Sequence, residues 1–362
     1  MKEVLIHMGF HKTASSSIQA TCANNRKLLL HKGISYPVFQ YNNKNITNHS
    51  IPIYSLFTDS PQNYHINIKW SADAERVNRE YREQLEQFTL SDEKLILSGE
   101  GISVLPDASL VSLRDYFLNK GYRVKAIAYV RSPVSYQVSA AQERVKNGHT
   151  LFYSDKYFPS RRIKKLLSVF STGIDFYPFR DVCSDEHGPI GYFLKLAGLD
   201  AADLKKIKYI QKNESLSDQA TRLIAYINEV LPFFLHDENS NQVRMNPDRK
   251  LEDTSIFQKI GGHKYRPAFS EIQHILDESK LENEWLQATL GEEFCDDEVD
   301  LEFNETVFHW DRKTLKQLER ALAGSPEPLR QIACDFFAQE KYSTPQDNIA
   351  IRRIINKIKK SN

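Results

Sequence analysis

Cysteine is scarce: Cys22, Cys183, Cys295 and Cys334 are the only four in 362 residues, and no two form a C-x-x-C pair. That spacing argues against a zinc site and a dense disulfide framework, leaving free thiols as the simple reading. No apolar run approaches the ~20 residues needed to span a bilayer. The opening "MKEVLIHMGFHK" has an apolar stretch of only about six residues before charge intervenes, which does not read as a signal peptide. The expectation is a cytoplasmic chain without a transmembrane segment. Neither sign of charge dominates, with 48 Lys and Arg against 47 Asp and Glu, so no global field draws nucleic acid or a membrane surface. Internal repeats and low-complexity tracts are missing too.

What is there is ordinary for a globular chain: 41% hydrophobic and 26% charged residues. The length suits one large domain, or a domain plus an extension, with a core that needs no disulfide support. Residues 3–8 read as a short buried strand, and 94–100, 122–132 and 173–179 as further strands. Helical patterns fall between them. In "AERVNREYREQLEQF", Val77, Tyr81, Leu85 and Phe88 share one face. This alternation predicts an α/β fold with a mostly parallel sheet flanked by helices. Further on, 218–231 repeats apolar residues at helical spacing, and Ser270 and Gln273 stand at the spacing of a capping box. Residues 236–268 are polar and turn-rich and read as a surface loop or lid. The division expected is a domain over 1–302 and a mostly helical C-terminal extension over 303–362. In that extension Ile351, Ile354, Ile355 and Ile358 form the stripe of a docking helix.

The first strand runs into "GFHKTASSSIQ". A strand ends, the backbone turns, and a helix N-terminus offers N–H groups to an anion. Ser15, Ser16 and Ser17 add hydroxyls, and Lys12 adds a point charge. The order differs from the G-x-x-x-x-G-K-[ST] nucleotide fingerprint, because the lysine precedes the hydroxyl cluster.

Gly9, Lys12, Thr13, Ala14, Ser15 and Ser16 instead resemble the 5′-phosphosulfate loop of sulfotransferases that use 3′-phosphoadenosine 5′-phosphosulfate. Ala14 stands where that family usually has glycine, and should fit if the turn keeps an ordinary backbone conformation. A second stretch, "YVRSPVSYQVSAAQERV", resembles the family's 3′-phosphate motif, with Arg131 at a strand end and Ser139 eight positions on. Pro133 matches, whereas Tyr136 replaces a frequent second arginine. The "N-x-S-L" element of Asn213, Ser215 and Leu216, and a closing helical segment, extend the likeness to the carbohydrate-type bacterial enzymes over about residues 1 to 302.

The resemblance implies a P-loop-like fold and sulfuryl transfer to a hydroxyl or amine, with a glycan as the expected acceptor. It gives Lys12 the charge on the bridging and leaving oxygens. Thr13, Ala14, Ser15, Ser16 and Ser17 would hold the 5′-phosphate, with His11 able to touch sulfate or phosphate. Arg131 and Ser139 would hold the 3′-phosphate, and no metal is required. Glu100, just past a strand end in "LILSGEGIS", is placed to take the acceptor's proton. His49 is the rival base, and His7 reads as packed in its strand. The cluster Lys156, Arg161, Arg162, Lys164 and Lys165, beside Tyr153, Tyr157 and Phe158, offers a place for an anionic acceptor, although a solvated helix face is the simpler reading. A P-loop kinase would need the G-K-[ST] order and a magnesium-binding aspartate. A binding module without catalysis is the other alternative.

Overall fold

The structure is a computed structural model and describes residues 2–91, 93–153, 157–171, 173–212, 215–236, 243–296, 310–339 and 344–360. Lys156 and Asn213 lie outside the described residues, as do 237–242 of the expected lid and 303–309 of the expected extension. The chain divides into two units. One takes Met1–Pro133, Phe158–Asn213 and Leu281–Cys295, and the other takes Val134–Tyr157, Glu214–Lys280 and Asp296–Asn362.

The first unit holds seven of the described strands: β1 (Lys2–His7), β2 (Ile34–Ser35), β3 (Phe39–Tyr41), β4 (Lys44–Ile46), β5 (Lys94–Ser98), β6 (Tyr122–Val130) and β7 (Ile174–Pro178). Five of them form one sheet in the order β2-β5-β1-β6-β7, and every pairing is parallel. A parallel sheet is covered on both faces, so its central strands read as unbroken apolar runs. Alternation then sorts the side chains. Val4 and Ile6 join Leu95, Leu97, Ala126 and Ala128 in one core, which is closed by helices Ala74–Phe88, Asp107–Asn119 and Pro159–Val169. Leu5, Ile96, Ile127 and Tyr129 face the other core, under helices Ser15–Asn24 and Gly188–Ala197. Val4, Leu5 and Ile6 are fully buried, each worth about 1.5–3 kcal/mol of transfer free energy. β3 and β4 form a separate antiparallel hairpin.

The second unit is mainly helical. Helix Asp218–Val230 shares a core with Arg312–Gly324, Glu327–Ala338 and Pro345–Lys360. Ile351, Ile355 and Ile358 are buried there and Ile354 packs at the edge, so the docking stripe stands. The C-terminal helices are therefore no separate extension, because their apolar faces close on Leu223, Ile224 and Ile227 of the Asp218 helix. A hairpin of β8 (Phe234–His236) and β9 (Val243–Met245) follows that helix. The described part of 236–268 is not simply a lid. Phe257, Ile260 and Tyr265 are core residues, and buried Arg249 donates to Leu231 O and to Asn228 Oδ1. The capping box expected at Ser270 is also displaced. The helix begins at Phe269, and Glu271 reaches back to accept from Ala268 N at 2.6 Å. Among the described residues, no helix is long and apolar enough to cross a membrane.

Candidate nucleotide and acceptor site

The C-terminal ends of β1, β5 and β6 carry the expected residues of the first unit. β1 ends at His7, and Gly9 follows with its backbone pressed against the next helix. A β-carbon on Gly9 would lie 2.2 Å from Ser15 Oγ and 3.3 Å from His7 Cε1. The loop then turns through left-handed backbone at Lys12 (φ 68°) and Ala14 (φ 63°), and Thr13 Oγ1 ties it together by donating to Phe10 O at 2.5 Å. The ordinary conformation expected at Ala14 is thus not what the turn adopts. Ala14 occupies the region that glycine enters without cost, and residues so placed concentrate at ligand sites. Alternating left- and right-handed backbone also gathers N–H groups into an anion-binding concavity.

Ala14 is the N-cap of helix Ser15–Asn24, with no side-chain cap and no acidic residue in the first turn. Among the described residues, the amides of Thr13, Ala14, Ser15 and Ser16 donate to none. Ser15 is buried at 4% exposure and its hydroxyl likewise has no partner. Ser16 is exposed. Ser17 is committed elsewhere, since its Oγ accepts from Lys212 N at 2.9 Å and donates to Lys212 O at 3.2 Å. One turn on, Thr21 Oγ1 makes the same pair of contacts with Ile210. After another turn, Asn25 does so with Lys208. Side chains at i, i+4 and i+8 thereby hold alternate residues of an extended segment, anchoring the helix whose N-terminus faces the loop.

Glu100 opens a 3₁₀ turn after β5. Its carboxylate lies 3.5 Å from His11 Nδ1, and both side chains are partly exposed. Burial pushes Glu100 up, but the His11 bond and charge, with Lys12 and His7 adding, outweigh it and hold the carboxyl below its ordinary value. Lys12, His11 and Glu100 are thus brought to one sheet edge. Gly99 is needed beside them, because a β-carbon there would stand 2.4 Å from Ser50 N. Helix Ser50–Phe57 abuts that point, and Ser50 Oγ accepts from Gly101 N at 2.9 Å.

His49 does not present itself as a base. It is fully buried, Nε2 donates to Pro37 O at 2.7 Å, and Nδ1 accepts from Ser98 N at 2.9 Å. Both nitrogens are engaged and burial lowers its pKa to about 4. The ring is a strut between chain segments. His7 is buried as expected, bonded through Nδ1 to Ser98 Oγ at 2.9 Å and lowered to about 4 by burial.

Arg131 follows β6, its guanidinium 4.4 Å from the centroid of Phe179. Ser139 is half-buried on helix Pro133–Lys146 in the second unit. In that unit Tyr136 stacks on Tyr157 at 3.7 Å, and Asp296 accepts from Val134 N at 3.1 Å. Three described members of the basic cluster have partners within the first unit, and Arg161 is exposed. Lys165 donates to Leu105 O at 2.7 Å, Arg162 lies over Phe10 and Lys164 over Trp285.

Beside Glu100 and His11 lies a cleft of about 560 Å³, walled by Tyr54, Tyr64, Asn48 and Asn63. Nothing in the sequence pointed to it. Its walls come from helix Ser50–Phe57 and the turn after it, and their only signal was two tyrosines ten positions apart. No protein-family model, curated protein or solved structure matches this chain.

Proposed function

We propose that the chain is a sulfotransferase that takes 3′-phosphoadenosine 5′-phosphosulfate as donor and moves its sulfuryl group to a hydroxyl held near Glu100. The observation that carries the reading is the loop itself. Unclaimed amides, a buried hydroxyl without a partner and Lys12 all belong to the five residues 12–16 of one loop, and the His11–Glu100 pair is coupled to it. These donors suit a dianionic phosphate.

In the reaction, the acceptor oxygen forms the new O–S bond. The S–O bond to the 5′-phosphate breaks, and its electron pair stays on the phosphate oxygen. The acceptor proton passes to Glu100, with His11 beside it to share the charge. Lys12 offsets charge growing on the leaving oxygen, an interaction that strengthens only as the bond breaks. Arg131 supplies a planar fork for the 3′-phosphate. His49 has no role in this scheme beyond holding the strand ends, and the scheme does not call on Ser139.

Isothermal titration tests the reading. The 3′,5′-bisphosphate of adenosine should bind more tightly than AMP, and Arg131→Ala should remove about 2 kcal/mol of that preference. Equal binding of the two nucleotides overturns it.

A further inference from the structure

We infer that the cleft beside Glu100 is an acceptor site for an uncharged, hydroxyl-rich ring, such as a neutral sugar, rather than for an anionic or cationic one. The inference rests on the transfer reading for the reaction and names what that reaction would act on.

The lining carries the argument. Tyr54 and Tyr64 are stacked 4.6 Å apart and 23° from parallel, and His65 meets the Tyr64 ring edge-on at 4.8 Å. This makes an aromatic wall on which the C–H face of a sugar ring can lie. Burial, with Tyr54 and Glu100 adding, raises the Tyr64 hydroxyl well above its ordinary value, so it stays protonated. Facing polar groups are neutral: Asn48, Ser50, Thr58, Ser60 and Asn63. Asn48 is held in a fixed orientation. Its Oδ1 accepts from Ser50 N at 2.9 Å and from Gln19 Nε2 at 3.3 Å, which leaves Nδ2 as the donor for a ligand oxygen.

Charge decides between acceptor classes. Among the described residues, neither lysine nor arginine lines the cleft, and Glu100 is its one carboxylate. An acidic sugar would bring a second negative charge beside Glu100, where His11 is already paired with that carboxylate and His65 is the one other basic side chain among the described lining residues. Of the basic cluster, Lys165, Arg162 and Lys164 engage Leu105 O, Phe10 and Trp285, and none of its described members lines the cleft. A cationic sugar would compete with His11 for the Glu100 carboxylate. The volume falls within the usual range for small-ligand sites.

Saturation-transfer NMR on the full chain, with the 3′,5′-bisphosphate of adenosine present, tests this. The probes are methyl β-D-galactopyranoside, D-galacturonate and D-galactosamine, each at the same millimolar concentration. Transfer to the neutral ring should exceed transfer to either charged one at least several-fold. Tyr64→Ala should abolish it. Because Tyr64 is buried and that variant can fail to fold, Val104→Trp at the exposed rim is the second variant. It should block the cleft while the melting temperature is kept. Preference for galacturonate or galactosamine, no transfer to any probe, or neutral binding untouched in a folded Val104→Trp chain each overturns the inference. The two readings fail separately. Neutral-ring binding without nucleotide binding sinks the transfer reading alone, whereas nucleotide binding with a charged ring preferred sinks the cleft assignment alone.

Discussion

Ser15 Oγ stands 2.2 Å from where a β-carbon on Gly9 would be. The loop can close on its helix only because residue 9 has no side chain. Gly9→Ala should cost about 1–3 kcal/mol, as overpacking does. Adding Ser15→Ala should recover most of that stability, since Ser15 Cβ is 3.4 Å from the same point. The double variant should still bind nucleotide weakly, because the hydroxyl is gone. Thermal unfolding and titration of the three variants check both halves.

Ala14, with φ at 63°, should gain from glycine. Ala14→Gly relieves a left-handed strain of about 1 kcal/mol, offset in part by unfolded-chain entropy. The melting temperature should hold or rise, whereas Ala14→Val should lower it.

Lys12→Ala and Glu100→Gln should separate binding from turnover. Each should leave bisphosphate affinity within a few-fold and cut kcat by roughly 10²–10⁴. Because Glu100 is held below its ordinary pKa, the acid limb of the rate profile should lie below the usual carboxylate range and the rate should stay flat toward neutrality. Full turnover in Glu100→Gln would remove it from the mechanism.

His7 and His49 set an acid limit on stability. Both are buried and titrate at about 4 when folded, against ~6.5 unfolded. The unfolded chain therefore binds more protons in that window. Stability is full above pH ~6.5 and falls as pH drops toward 4, by about 3 kcal/mol per histidine. Urea midpoints across this range should show the slope, and His49→Gln should flatten it.

Thr21→Val should destabilise by about 1–3 kcal/mol, because it strands the half-buried amide of Ile210 that donates to Thr21 Oγ1 at 2.9 Å. Chemical unfolding checks the magnitude.

The sheet was largely legible. β1, β5, β6 and β7 fall on the four predicted stretches because parallel strands covered on both faces leave unbroken apolar runs. Two-residue β2 carries no such signal. The loop after β1 was legible from residue order, but its left-handed turns at Lys12 and Ala14 were not, since neither residue type favours them. His49 looked available as a base because a sequence does not say where a ring's nitrogens go. Its partners lie 12 and 49 positions away. The ladder from Ser17, Thr21 and Asn25 to 208–212 was hidden for the same reason, joining residues more than 180 positions apart. The C-terminal helices were found, but not the core they share with the Asp218 helix, because a stripe names no partner.

The central place of β1 has a consequence for how the chain is made. Val4 pairs with Leu95 on one side and Val124 on the other, so neither neighbour exists while the first ninety residues are being synthesised. Until then the apolar "VLI" segment has both hydrogen-bonding edges open, in a topology whose closure is slow because the partners are distant. A nascent chain held at that stage exposes a sticky strand. Yield should therefore depend on concentration and on how quickly β5 and β6 arrive, more than on the stability of the finished fold.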